Sequence, residues 1–165
     1  MARRAATSVS TTTDSRAVKV RAARASDQSA LLAMMAPFNR SEGIPWRPTL
    51  VAPALARLLR SPRLGLVLVA ENVPTRKLVG YVVATYNYDL EFAGPDAFVT
   101  ELFIRPRERG KGHARLLLQA VTHAVDQKGA RAVHLLVRPE NRTARRLYAS
   151  VGFEPVPRLM MSKEL

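Results

Sequence analysis

The stretch from Ala97 to Gly129 constrains the fold more than any other part of the chain. Ala97–Ile104 (AFVTELFI) is rich in β-branched and aromatic residues and reads as a strand, which Pro106 stops. The backbone then turns on Gly110 and Gly112, and a helix begins at once, running from Gly112 to about Lys128. Its apolar residues Ala114, Leu117, Leu118, Val121, Ala124 and Val125 form one stripe, and Gly129 suits the position just after a helix. A strand feeding an amphipathic helix through so short a turn demands a sheet with that helix packed on it. The same turn leaves free backbone N–H groups at the positive end of a helix dipole, which is an anion site. Arg107, Arg109, Lys111 and Arg115 surround it, against the single acid Glu108. A pyrophosphate suits that geometry, and a plain glycine turn with solvated charges is the alternative.

The remaining segments fill in the order. Val18–Ala22 alternates as a short strand, and a helix follows from near Asp27 through Leu31, Leu32, Met35 and Phe38. A polar loop, Asn39–Pro48, carries the only Trp, and Thr49 starts a second helix that runs to about Arg60. Leu64–Glu71 and Leu78–Tyr88 read as strands, with a loop over Asp89–Asp96. After the long helix come a strand at Ala132–Val137, a short helix at Thr143–Val151 and a final extended stretch, Phe153–Glu164. The order β-α-α-β-β-β-α-β-α-β predicts an α+β (α/β) domain. Its sheet is mixed and mostly antiparallel, with helices packed on it. Residues 1–17 carry no hydrophobic period and read as a disordered basic tail, which leaves 18–165 as one domain.

Composition removes several function classes. The 165 residues include no cysteine, so a thiolate metal site, a disulfide and a cysteine nucleophile are all excluded. Three histidines without metal-ligand spacing make no case for a metal, and no apolar run is long enough for a membrane span. The net charge of +13 invites a nucleic-acid partner, but the excess is uneven. Residues 1–35 carry +4, 36–101 only +1, and 105–165 carry +8. That unevenness weakens the case for nucleic acid; compositional drift with no function accounts for part of the excess as an alternative, and the arginines of the last third, as good bidentate partners of phosphates, point to the segment that follows.

Two phosphate loops fail on spacing. Arg105 stands where a Walker A loop needs its first Gly, and Arg115 stands where a dinucleotide fingerprint needs its third. A third pattern fits. Arg109-Gly-Lys-Gly-His-Ala114 resembles the Arg/Gln-x-x-Gly-x-Gly/Ala signature of the GNAT superfamily of N-acetyltransferases. Glu101-Leu-Phe-Ile-Arg-Pro106 resembles the family's central strand, and Asn141–Phe153 its Asn-x-x-Ala-x-x-Leu-Tyr-x-x-x-Gly-Phe helix. Leu159–Leu165 resembles its last strand, and His113 stands where the family more often has an aliphatic residue.

The resemblance implies a GNAT-like sheet with a splayed parallel pair, helices on both faces, and acetyl-CoA as co-substrate. It implies that Arg109, Gly110, Lys111, Gly112, His113, Ala114 and Arg115 hold the pyrophosphate. Leu102, Phe103 and Ile104 would hold the pantetheine arm through their backbone, and Asn141 would contact it or cap the following helix. Tyr148 is implied as general acid toward the CoA sulfur, although its stripe with Ala144, Leu147 and Val151 also suits a core residue. Glu101 is the candidate general base, or a group that orients a cationic substrate. His123 and His134 read as structural or surface residues.

The implied reaction is acetyl transfer to a primary amine by direct attack in a ternary complex. An alkyl ammonium of pKa about 10 has no lone pair, so a proton must leave before it can attack. Asp89, Glu91 and Asp96 beside Glu101 favour a small cationic amine, with Trp46 in the same acceptor region; solvated loop charges are the plain alternative. A protein N-terminus or lysine is the second acceptor. A non-catalytic acyl-CoA-binding regulator or a basic nucleic-acid module is the rival of another class. No membrane partner is expected, a cytoplasmic location is, and a homodimer is left open.

Overall fold

A computed structural model describes residues 17–164. All but the last residue of the expected basic tail lies outside them. The sheet contains β1 (Val18–Ala22), β2 (Gly65–Asn72), β3 (Leu78–Asp89), β4 (Gly94–Ile104) and β5 (Val133–Leu135). The helices are α1 (Gln28–Glu42), α2 (Pro48–Arg60), α3 (His113–Asp126) and α4 (Arg142–Ala149). The sheet order is β1-β2-β3-β4-β5, antiparallel throughout except for the parallel β4/β5 pair. That parallel pair needs a crossover, and α3 supplies it.

Strand alternation sorts the core into two layers. On one face Leu68, Ala70, Val82, Ala84, Ala97 and Val99 pack against Leu117, Val121 and Val125 of α3. On the other, Val67, Val69, Tyr81 and Val83 pack against Leu31, Met34 and Met35 of α1 and Leu55 of α2. Because β2 and β3 are covered on both sides, they read as unbroken apolar runs. The start of α1 is tied to the sheet edge by Arg21, which bridges Asp27 at 2.7 Å and buried Glu71 at 2.6 Å. Its guanidinium holds both carboxyl groups below the ordinary carboxylate range.

One irregularity in β4 sets the geometry of everything downstream. Val83 lies opposite Glu101 while Ala84 lies opposite Val99, so exposed Thr100 is an extra residue, a bulge. Without it, Val99, Glu101 and Phe103 would share a face. With it, Val99 stays on the α3 face while Phe103 and Glu101 turn to the α1/α2 face, where Phe103 packs and Glu101 meets Tyr81.

Several expectations differ from the structure: α1 runs on through Asn39–Glu42, expected in the polar loop, and the strand expected at Ala132–Val137 covers only Val133–Leu135. Gly94–Asp96 extends β4 instead of belonging to the preceding loop, pairing with Asn87–Asp89. The last stretch, Phe153–Glu164, forms no strand among the described residues. Pro155 and Pro157 each lack an N–H, which explains why a ladder does not form there.

Leu117 is fully buried on the α3 stripe. Leu117→Ala should lower the unfolding free energy by about 2–5 kcal/mol in urea denaturation, and a loss well under 1 kcal/mol would contradict this packing.

Candidate active site

β4 and β5 are paired only at Ala97–Val99 with Val133–Leu135. β4 then continues through the bulge to Ile104, while β5 ends at Leu135. On that side the β4 backbone at Leu102–Ile104 is left without a strand partner among the described residues, opening a wedge between the two strands. An extended chain laid into such a wedge can take the place of the missing strand.

The wedge leads to the turn before α3. Gly110 and Gly112 have φ of 75° and 84°, the left-handed region that favours glycine, and a Cβ added at either would meet nothing within 4 Å. Among the described residues, no turn or cap bond engages the N–H groups of Gly110, Lys111, Gly112, His113, Ala114 or Arg115. Those at the head of α3 have no intrahelical partner either. Six unpaired donors at a helix start form a cradle whose geometry suits an anion. The basic residues around it are already oriented. Arg109 donates to the Ile104 carbonyl at 3.1 Å and lies over the Phe103 ring, and Lys111 pairs with Glu108 at 2.9 Å. Arg115 points away from the cradle and donates to the Ser150 carbonyl and hydroxyl. Buried His113 faces Glu108 at 3.7 Å.

α4 is held from two sides. Arg115 ties its C-terminal end to α3. Arg138, in the loop before it, pairs with the Glu42 carboxylate at 3.2 Å and donates to the Glu42 carbonyl at the end of α1. Asn141 is the N-cap of α4, accepting from Ala144 N–H at 3.0 Å. Tyr148 is half-buried with its ring against Phe153, and its hydroxyl makes no hydrogen bond among the described residues. Burial, and then the Glu42 carboxylate, push the phenol pKa up, so it stays protonated and able to donate.

Glu101 sits on the opposite face from α3 and accepts the Tyr81 hydroxyl at 2.6 Å. Burial pushes its pKa up while the Tyr81 bond pulls it down. A carboxylate shifted this way has more proton affinity than an exposed one and suits a base.

A model described as the acetyltransferase (GNAT) family matches residues 31–153. The chain belongs to the GNAT acetyltransferase family. A relative, the uncharacterized N-acetyltransferase YycN of Bacillus subtilis (strain 168), is 37% identical over 70 residues, 42% of this chain. That match spans 44% of the relative's own length. An integron cassette protein from the Cole Harbour Salt Marsh metagenome superposes with a TM-score of 0.78 at 29% identity, covering 88% of this chain and 90% of that one. AAC(6')-Iy, solved with the bisubstrate analog CoA-S-monomethyl-acetylneamine, shares the fold with a TM-score of 0.75 at 19% identity, over 90% and 98% of the two chains.

In this GNAT chain the expected acceptor residues are placed unevenly. Trp46 is half-buried and packs against the α1/α2 core. Asp89 accepts the Glu91 N–H at 2.8 Å within the turn. Glu91 is already paired with Arg158 at 2.6 Å. Asp96 is different: it is 3% exposed and faces His134 Nε2 at 3.3 Å. His134 was expected to be a structural or surface residue without an Asp; the parallel register of β4 and β5 brings the two together. Tyr81, Glu42 and Arg138 also escaped the sequence reading. Tyr81 looks like any core residue of an alternating strand, and the other two sit far apart in the chain with no shared motif.

Tyr81→Phe leaves burial of Glu101 unopposed, so the Glu101 pKa should rise further. A carbon-detected NMR titration of the Glu101 carboxyl checks this; an unchanged or lowered value would contradict the assigned hydrogen bond.

Proposed function

We propose that the chain is an acetyl-CoA-dependent N-acetyltransferase acting on a primary amine of a small cationic molecule. The observation that carries this reading is the six-donor cradle at the head of α3, continuous with an unpaired β4 edge. The cradle matches a diphosphate and the edge matches the amide-bearing pantetheine arm, which are the two halves of CoA. Gly110, Lys111, Gly112, His113, Ala114 and Arg115 supply the amides, Arg109 and Lys111 supply charge, and Leu102–Ile104 supply strand hydrogen bonds. Arg115 does so with its backbone, because its side chain holds Ser150. Asn141 positions α4 beside the arm through its cap.

When bound, acetyl-CoA supplies an activated acyl group with a thiolate leaving group. The chain supplies position and protons. Glu101 takes a proton from the acceptor nitrogen, and Tyr148 donates one to the departing sulfur. Carboxylates on the α1/α2 face with neutral or titratable partners, Glu101 with Tyr81 and Asp96 with His134, favour a cationic acceptor over a neutral one. The fold shared with AAC(6')-Iy, whose bisubstrate analog joins CoA to an acetylated amine, supports the same reading.

Acetyl-CoA at about 100 times its Kd should stabilise the folded protein by about 2.7 kcal/mol, read as a raised melting temperature, while duplex DNA should not. Tyr148→Phe should keep that shift and lower kcat with an acetylated amine. No shift with acetyl-CoA would overturn the cofactor assignment; unchanged kcat would remove Tyr148 from the chemistry.

A further inference from the structure

We propose that His134, oriented by Asp96, is a second proton acceptor on the acceptor side of the site. This rests on the acetyl-transfer reading of the same wedge. Val99 belongs to the α3 face, so its neighbour Phe98 points to the other, and His134, opposite Phe98 in register, stacks near it with ring centroids 6.3 Å apart. Glu101 lies on that same face through its bond to Tyr81. His134 is therefore on the same face as Glu101, one strand across and three residues back along β4, and one pair from the point where β4 and β5 part.

The surroundings of the pair suit proton transfer. Asp96 is 3% exposed and its Oδ1 has no hydrogen-bond partner; its Oδ2 lies 3.3 Å from His134 Nε2, a charge contact without the alignment of a hydrogen bond, so Nε2 too is unpartnered among the described residues. A buried carboxylate beside one ring nitrogen favours a proton on that nitrogen and leaves the lone pair on the other. Nε2 is buried and the side chain keeps 30% of its surface open, so the open part lies on the rest of the ring, the side from which an ammonium would have to reach Nδ1. Phe92 packs against the ring at 5.2 Å. The other charged groups near it are Glu91, which Arg158 neutralises, and Arg131, whose side chain lies against Gly94.

Two proton acceptors suit the chemistry. Between ammonium and amide, the nitrogen loses two protons. His134 takes the first from R–NH3+ and releases the lone pair. The nitrogen then attacks the thioester carbonyl carbon, a C–N bond forms and the C–S bond breaks, with the electron pair leaving on sulfur. Glu101 takes the second proton, Tyr148 protonates the thiolate, and one proton in total goes to solvent. Asp96 acts through His134 and is a positioning residue.

The test measures CoA release from acetyl-CoA with a panel of polyamines and aminoglycosides, for wild type, His134→Gln and Asp96→Asn, from about pH 6 to about pH 9.5, spanning the approach to amine deprotonation. His134→Gln should lower kcat near neutrality on the order of 100-fold, with KM for acetyl-CoA and its thermal shift unchanged. The deficit should shrink as pH rises, because more amine then arrives already deprotonated. Asp96→Asn should show the same shape with a smaller loss, and nitrogen-15 NMR should show that the preference of neutral His134 for the Nε2–H form is lost. A deficit independent of pH, or none, overturns the proposal. If wild type acetylates no amine, the acetyl-transfer reading has failed and this role falls with it. If wild type turns over and His134→Gln matches it at every pH, the second-acceptor role alone has failed.

Discussion

Thr100 is the residue on which the site depends. An extra residue in a strand reverses the alternation beyond it and bends the chain. Here that reversal places Glu101 and Phe103 on the α1/α2 face while Val99 remains under α3. The same bend coincides with the end of the β4/β5 pairing, so a wedge opens where the carboxylate turns. The face taken by Glu101 and the open edge of β4 thus arise beside one irregularity.

The arginine excess takes on a different meaning in three dimensions. Arg115 and Arg138 hold α4 against α3 and α1, Arg105 donates to the Leu78 carbonyl, Arg109 to Ile104, and Arg158 pairs with Glu91. A planar guanidinium can satisfy a carbonyl or a carboxylate and still carry its charge. Several arginines of the basic excess therefore serve as struts of the fold, and Arg109, fixed on the Ile104 carbonyl and over the Phe103 ring, is the one held at the β4 edge.

Much of the fold was legible because its signals are local. The stripe of α3, the runs of β2 and β3, and the two glycines before α3 each declare themselves within about a dozen residues. The cradle was legible for the same reason, since its donors are consecutive in the chain. The last stretch was misread because its apolar residues, Leu159, Met160 and Met161, suit a strand, yet they stay exposed and unpaired here. Glu91 looked like a free acid until Arg158 was found 67 positions away.

Sequence by itself determined most of the order of elements, the glycine turn at the head of α3, and the family to which these motifs belong, because each is written in contiguous or regularly spaced residues. Only the tertiary structure decided what the acids face. Tyr81 meets Glu101 across an antiparallel register with a one-residue slip, and Asp96 meets His134 across a parallel one. Register is a property of two strands and their packing, and one strand's pattern does not carry it.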